Sequence, residues 1–180
     1  MKKLLFMAAL AVFGLSSNSY AQGDDSGGGQ TDQGSWLIEA NTGFGEAAGG
    51  GTGIYLRSID GTTAWNIGFD AGYFIIDDLA LKGGLGYGDS GQDGVDGMFG
   101  WKFGAKYYII GMIPVGADVN GASGNGFSPM WVGIQAGYAW FITDSVSVEP
   151  GLRYGLGMNE DAGDGDFNQF SFNVGFAIHL

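Results

Sequence analysis

The chain has 180 residues, 37 of them glycine, 3 proline and none cysteine, with 45% hydrophobic against 14% charged and a formal net charge of −12. One domain fits that length, the glycines follow no G-x-y period that would suit collagen, and the apolar fraction is too high for a disordered chain. Without cysteine there is no disulfide framework, thiolate metal site or lipidated N-terminal cysteine, and the acidic balance argues against nucleic acid, whose phosphates would be repelled.

The first segment reads as an address. Met1-Lys2-Lys3 is basic, Leu4 to Leu15 is an apolar run of 12 residues, and Ser19 and Ala21 put small residues at the −3 and −1 positions of a cleavage site. The apolar run is too short for a helical span, which needs about 20 residues. Residues 1–21 are therefore expected to be a secretory signal peptide. Gln22 to Gly34, polar and glycine-rich, reads as a flexible lead-in. Residues 35–180 form the remaining domain.

From Trp36 onward the dominant period is two. Alternating segments start near Trp36, Trp65, Leu79, Phe99, Ile113, Met130 and Val146, and the eighth ends the chain. In that last one Phe170, Phe172, Val174, Phe176, Ile178 and Leu180 share one face, with Gln169, Ser171, Asn173, Gly175, Ala177 and His179 on the other. An internal repeat supports the division: Gly68 to Leu81 resembles Gly133 to Val148, each reading as strand, tight turn around an Asp, strand. A weaker third copy starts at Gly104. Short turns thus lie at one end, and longer Gly/Asp segments at 46–62, 88–96, 121–128 and 158–166 lie at the other. Connections of alternating length predict an all-β, eight-stranded antiparallel up-and-down transmembrane β-barrel, closed so that no edge is exposed.

The quality of the two faces sets the orientation. Strand charges fall on one face, as the acids Glu39, Asp70, Asp118 and Glu149 and the bases Lys82, Lys102, Lys106 and Arg153. A soluble barrel would put charge outward, so this face is read as the lumen and the apolar face as lipid-facing. On the apolar face Phe44, Trp65, Tyr87, Trp101, Tyr154 and Phe170 gather toward the long-loop end. Trp36, Tyr73, Tyr107, Tyr138 and Trp140 gather toward the short turns, so the two groups read as interfacial aromatic girdles. Inward glycines, among them Gly68, Gly84, Gly86, Gly104 and Gly133, leave room for long charged side chains in a narrow bore. Pro150 lies on the lipid face of its strand, where it cannot donate to the ladder, and predicts a bulge or an unpaired carbonyl.

Residues 72–81 and 137–144, as strand-turn-strand units, resemble the outer membrane protein β-barrel domain, and the whole domain resembles the small eight-stranded OmpA/OmpX-type barrels. The terminal alternation Phe170, Phe172, Val174, Phe176, Ile178 and Leu180 resembles the signal read by the barrel-assembly machinery, with Leu180 where Phe is usual. The resemblance implies the outer membrane of a Gram-negative bacterium with both termini periplasmic. It also implies a monomer contacting lipid and lipopolysaccharide, with the assembly machinery and periplasmic chaperones as partners during biogenesis. No cofactor is implied.

Four acids against four bases suit mutual pairing inside a membrane protein. Lys102 and Lys106 are expected to flank Asp118 on the next strand, and Glu149 and Arg153 to share the inward face of another. Paired charges would plug the lumen of a structural or surface-interaction protein; the alternative is a narrow channel for ions or small solutes. The long segments carry Asp89, Asp93 and Asp96, and Asp161, Asp164 and Asp166, which are oxygen-rich and glycine-hinged but do not complete a calcium-loop pattern. They are candidates for weak divalent-cation binding and otherwise solvated acidic loops. The single histidine, His179, has no nucleophile or acid pair on a long loop beside it, so no enzyme activity is expected.

Overall fold

A computed structural model describes residues 29–44, 51–124, 126–166 and 168–180. The expected signal peptide, most of the expected lead-in and the side chain of Phe44 lie outside the described residues. Ten strand segments follow in chain order: β1 (Trp36–Phe44), β2 (Tyr55–Ile59), β3 (Thr62–Ile76), β4 (Leu79–Asp89) and β5 (Met98–Ile109). The rest are β6 (Ile113–Ser123), β7 (Met130–Gly137), β8 (Trp140–Thr143), β9 (Val146–Gly157) and β10 (Gln169–His179). They make eight staves of one closed antiparallel barrel, because β1 pairs with both β10 (Leu37↔His179) and β3 (Glu39↔Asp70).

Two staves are each written in two pieces. β7 and β8 both pair with β9, and the register runs unshifted from Gly137↔Gly151 to Trp140↔Val148. Between them Tyr138 stands opposite Pro150. The Tyr138 N–H still donates to the Pro150 carbonyl at 3.0 Å, but proline has no N–H to return the bond. The expected irregularity at Pro150 is thus a missing ladder donor, and no residue is inserted there.

The other divided stave departs from the sequence reading. Residues 46–62 were expected to form a long loop, yet β2 pairs with β3 from Tyr55↔Asn66 to Ile59↔Thr62 and extends that hairpin beyond the bore. Its two-residue turn, Asp60-Gly61, has φ of +49° and +85°, the twist that matches right-handed strands. Gly51–Gly53 enter the barrel instead of covering it. β4 and β6 likewise run to Asp89 and Ser123, into segments read as loop.

At the short-turn end, the last part of the polar lead-in is tied down. The Gln33 N–H donates to Asp77 at 2.9 Å, Thr31 hydroxyl donates to Asp78, and the Phe74 N–H donates to the Ser35 carbonyl at 3.0 Å. The strands sort by parity as the alternation requires. Asn66, Gly68, Asp70, Gly72 and Phe74 are buried along β3, whereas Ile67, Phe69, Tyr73 and Ile75 are exposed outward. Phe103, Ile134 and Phe176 show the same outward exposure on other staves. So continuous an apolar exterior is unlike the surface of a water-soluble monomer.

Candidate functional site: the barrel interior

Three layers fill the bore. At the short-turn end Leu37, Phe74, Ala80, Tyr108, Ala139 and Ala177 are buried together, with Phe141 against them. His179 sits among the rings, with centroids 5.1 Å from Phe141, 5.9 Å from Tyr108 and 6.2 Å from Phe74. Large inward side chains on five staves meet near the axis and close this end with an apolar and aromatic floor.

Above the floor runs a chain of charges. Glu149 accepts from the Tyr108 hydroxyl at 2.8 Å and from the Ser147 hydroxyl at 2.9 Å, and pairs with Lys106. Lys106 also pairs with Glu39, Glu39 with Lys82, and Lys82 lies 3.4 Å from Asp70. Asp70 completes the chain by accepting from Lys102 at 3.1 Å. A separate pair stands higher: both terminal guanidinium nitrogens of Arg153, Nη1 and Nη2, donate to the Asp118 carboxylate, Nη2 at 2.7 Å, and Asn120 donates to the same group at 2.9 Å.

All eight expected charges face inward, but their partners differ from the expectation. Lys102 and Lys106 do flank Asp118 in register, through Gly104↔Asp118. Even so, Lys102 bonds Asp70 and Lys106 bonds Glu39 and Glu149, leaving Asp118 to Arg153. Glu149 and Arg153 share a face without pairing. The reason is reach: in a narrow barrel most of these side chains meet partners two or three staves away, whereas Lys82 and Asp70 pair diagonally across adjacent staves. Glycines supply the room. A Cβ at Gly84 would stand 2.0 Å from an Asp70 oxygen, and one at Gly133 would stand 2.1 Å from an Arg153 nitrogen.

The outward layer is looser. A cavity of about 70 Å³ is bounded by Thr52, Lys102, Trp131, Arg153, Gln169 and Asn173 among others. Three buried polar atoms near it, Thr52 Oγ1, Trp131 Nε1 and Asn173 Oδ1, have no hydrogen-bond partner among the described residues. Reasoning from sequence did not single out Trp131, although its parity with Gly133 and Gln135 places it inside. Ser147, Tyr108 and Phe74 were missed in the same way, each readable only as another inward position.

Several expected groups do not converge. Among the described residues no three Asp, Glu or His side chains form a metal-binding group. Asp89 accepts from the Gly91 N–H at 2.6 Å and Asp161 from the Ser128 N–H at 2.7 Å, so both serve loop structure. Asn159, beside Asp161, bonds the Ser128 carbonyl at 2.7 Å and the Met130 N–H at 3.0 Å, joining two loops. His179 does meet a hydroxyl, with Nε2 3.2 Å from Ser147 Oγ, while its Nδ1 lies 2.9 Å from the Gln30 backbone carbonyl. Ser147 is fully buried, with Glu149 as a second partner.

On the outer surface Trp36 and Tyr73 form an edge-on pair with centroids 5.1 Å apart, at the short-turn end. Trp65 and Tyr87 approach to 6.0 Å near the long-loop end, and Trp101 lies over Gly121. Tyr107, Tyr138, Trp140, Tyr154 and Phe170 are exposed on the same outer face.

An apolar exterior around a bore that holds ion pairs defines a barrel with inverted polarity, and a solved barrel domain shares its architecture. The chain is similar to the N-terminal β-barrel domain of Pseudomonas aeruginosa OprF, at TM-score 0.53 and 18% identity, over 82% of this chain and 98% of that one. A de novo designed transmembrane β-barrel gives TM-score 0.49 at 12% identity, over 83% and 98%. Neisserial surface protein A gives TM-score 0.39 at 13% identity, over 81% and 94%. No family model and no curated protein matches the sequence.

Proposed function

We propose that this chain is a monomeric outer-membrane β-barrel whose lumen is held shut by paired charges, with a structural or surface-interaction role. The observation that carries the reading is the continuous ion-pair chain from Glu149 through Lys106, Glu39 and Lys82 to Asp70 and Lys102, standing on an aromatic floor. Buried charges removed from water are tolerated only when each meets an opposite charge, and such a network fills the bore and fixes the staves against one another. The outward apolar residues face lipid, and the aromatic residues at both ends sit at the two interfaces. The pinned residues near Gln30 and the C-terminal strand then lie on the periplasmic side. There the alternation Phe170 to Leu180 serves the assembly machinery, and the acidic loops face outward near lipopolysaccharide. In this reading the role is not catalytic, since the hydroxyl beside His179 is fully buried at the level of the floor.

The alternative, a narrow channel, draws on the 70 Å³ cavity in the outward half. Planar-bilayer recording separates the two. The wild-type protein is expected to show no discrete conductance, and Lys106→Ala or Glu149→Ala tests whether breaking the ion pairs opens a path. Unitary conductance in the wild type would overturn the closed-lumen reading.

A further inference from the structure

The ring closes at the short turns where Trp36 and Leu180 exchange backbone bonds at 2.7 and 2.9 Å, beyond the last paired residues of β1 and β10. Residues 29–35 run in ahead of this seam. The Gly34 N–H donates to the Phe74 carbonyl at 2.9 Å and the Phe74 N–H bonds Ser35, which carries the β1–β3 ladder beyond Trp36↔Tyr73. Gln33 fastens twice to the end of that hairpin, its N–H to Asp77 and its side-chain amide to the Ile75 carbonyl, both at 2.9 Å. Thr31, 7% exposed, donates its hydroxyl to Asp78 and accepts the Asp78 N–H on its carbonyl at 2.8 Å. Further toward the N-terminus a turn from Gly29 to Asp32 crosses the bore, and there the Gln30 carbonyl lies 2.9 Å from His179 Nδ1.

These anchors lie on both sides of β1. β3 and β10 are its two neighbours in the ring; Asp77 and Asp78 make the turn after β3, and His179 ends β10. Gln30 and His179 are 149 residues apart in sequence. Before the ring closes, joining them costs the loop entropy of nearly the whole chain; once Leu37 pairs with His179 it costs almost none. The ring nitrogens show what His179 contributes. A carbonyl only accepts, so Nδ1 facing Gln30 carries the proton. Nε2 lies 3.2 Å from Ser147 Oγ and takes the Ser147 hydrogen when the ring is neutral, while Glu149 keeps Tyr108 and Lys106. The seated segment thus selects one imidazole tautomer.

We propose that residues 30–33 are a latch that docks after the barrel has closed, with His179 as its catch, and holds the β1–β10 seam shut from the short-turn side. It ties the two neighbours of β1 to one another, so β1 cannot peel from β10 without also breaking the bond at Gln30. Because the latch is made last, it slows unfolding and leaves the folding rate unchanged. It needs only the closed ring and is indifferent to whether the lumen conducts.

His179 is the chain's single histidine, so its ring gives one unambiguous pair of nitrogen resonances. In isotope-labelled protein folded in detergent micelles at about pH 8, where a free imidazole is neutral, Nδ1 should carry the proton. Asp77→Ala combined with Asp78→Gly removes two side-chain anchors, and glycine suits the left-handed backbone at position 78, φ +66°. That variant should release the ring to exchange between tautomers. Urea jumps followed by tryptophan emission should show it unfolding about tenfold faster, with the folding rate changed by less than about twofold. Thr31→Val combined with Gln33→Ala cuts the same attachments from the segment's side, and serves if the turn variant does not fold. A wild-type ring protonated on Nε2 alone overturns the latch. A folded variant that keeps the wild-type ring resonances or the wild-type unfolding rate does so too, as does one whose lost stability falls on the folding rate.

Discussion

The two halves of the bore are built on the same staves with the same alternation, yet they pack differently. Toward the short turns the inward positions are Leu37, Phe74, Tyr108 and His179, and Glu149 has three partners in Tyr108, Ser147 and Lys106. Toward the long loops many inward positions are glycine, among them Gly68, Gly84, Gly86, Gly133 and Gly155, and Thr52, Trp131 and Asn173 each carry a buried polar atom with no hydrogen-bond partner among the described residues. Backbone, a cavity and one bidentate ion pair fill what side chains fill below. The same eight staves ring both levels, so inward side-chain volume decides whether a level becomes a sealed floor or a well that holds a cavity.

Removing one charge from each half tests that contrast most strongly. Lys106→Met leaves buried Glu39 with Lys82 alone and buried Glu149 with hydroxyl partners but no cation among the described residues, and should cost about 3–5 kcal/mol in urea unfolding in lipid. Placing a charge outside is the next largest effect. Phe103→Arg, at a position 64% exposed on the outer face of β5, should cost about 2–4 kcal/mol in bilayers if that face meets lipid. Arg153→Met should cost less than Lys106→Met, about 1–3 kcal/mol, because it removes the partner of one carboxylate and not of two, and Asp118 keeps its bond from Asn120. Equal losses for the two inward cations would erase the distinction between floor and well.

The smallest effect has the opposite sign. Ile110 sits in the short β5–β6 turn at φ +51°, 73% exposed, a left-handed conformation that crowds a β-branched side chain. Ile110→Asn should stabilise the protein by about 1 kcal/mol, since asparagine tolerates that backbone. Unchanged stability would show that the turn relaxes without strain.

Much of the fold was legible because it is local. A period of two assigns each residue to one face, and charge on one face with apolar side chains on the other orients the barrel from Trp36 to Leu180. The Asp60-Gly61 turn was legible in principle, but the glycine-rich stretch before it hid the hairpin within a presumed loop. The contents of the bore were less accessible. Parity puts Phe74, Tyr108 and Trp131 inside, but it does not say which level of the barrel each occupies.

By itself the sequence determined eight strands, a closed barrel and the inward placement of all eight charges, since alternation and burial preference act between near neighbours. Tertiary structure decided that Lys102 meets Asp70, that Lys106 bridges Glu39 and Glu149, and that Gly51–Gly53 lies on Gly68, Gly84 and Gly86. The ion pairs join staves that are not adjacent, and all these contacts depend on stagger, bore width and side-chain reach together. None of these exists until the sheet has closed.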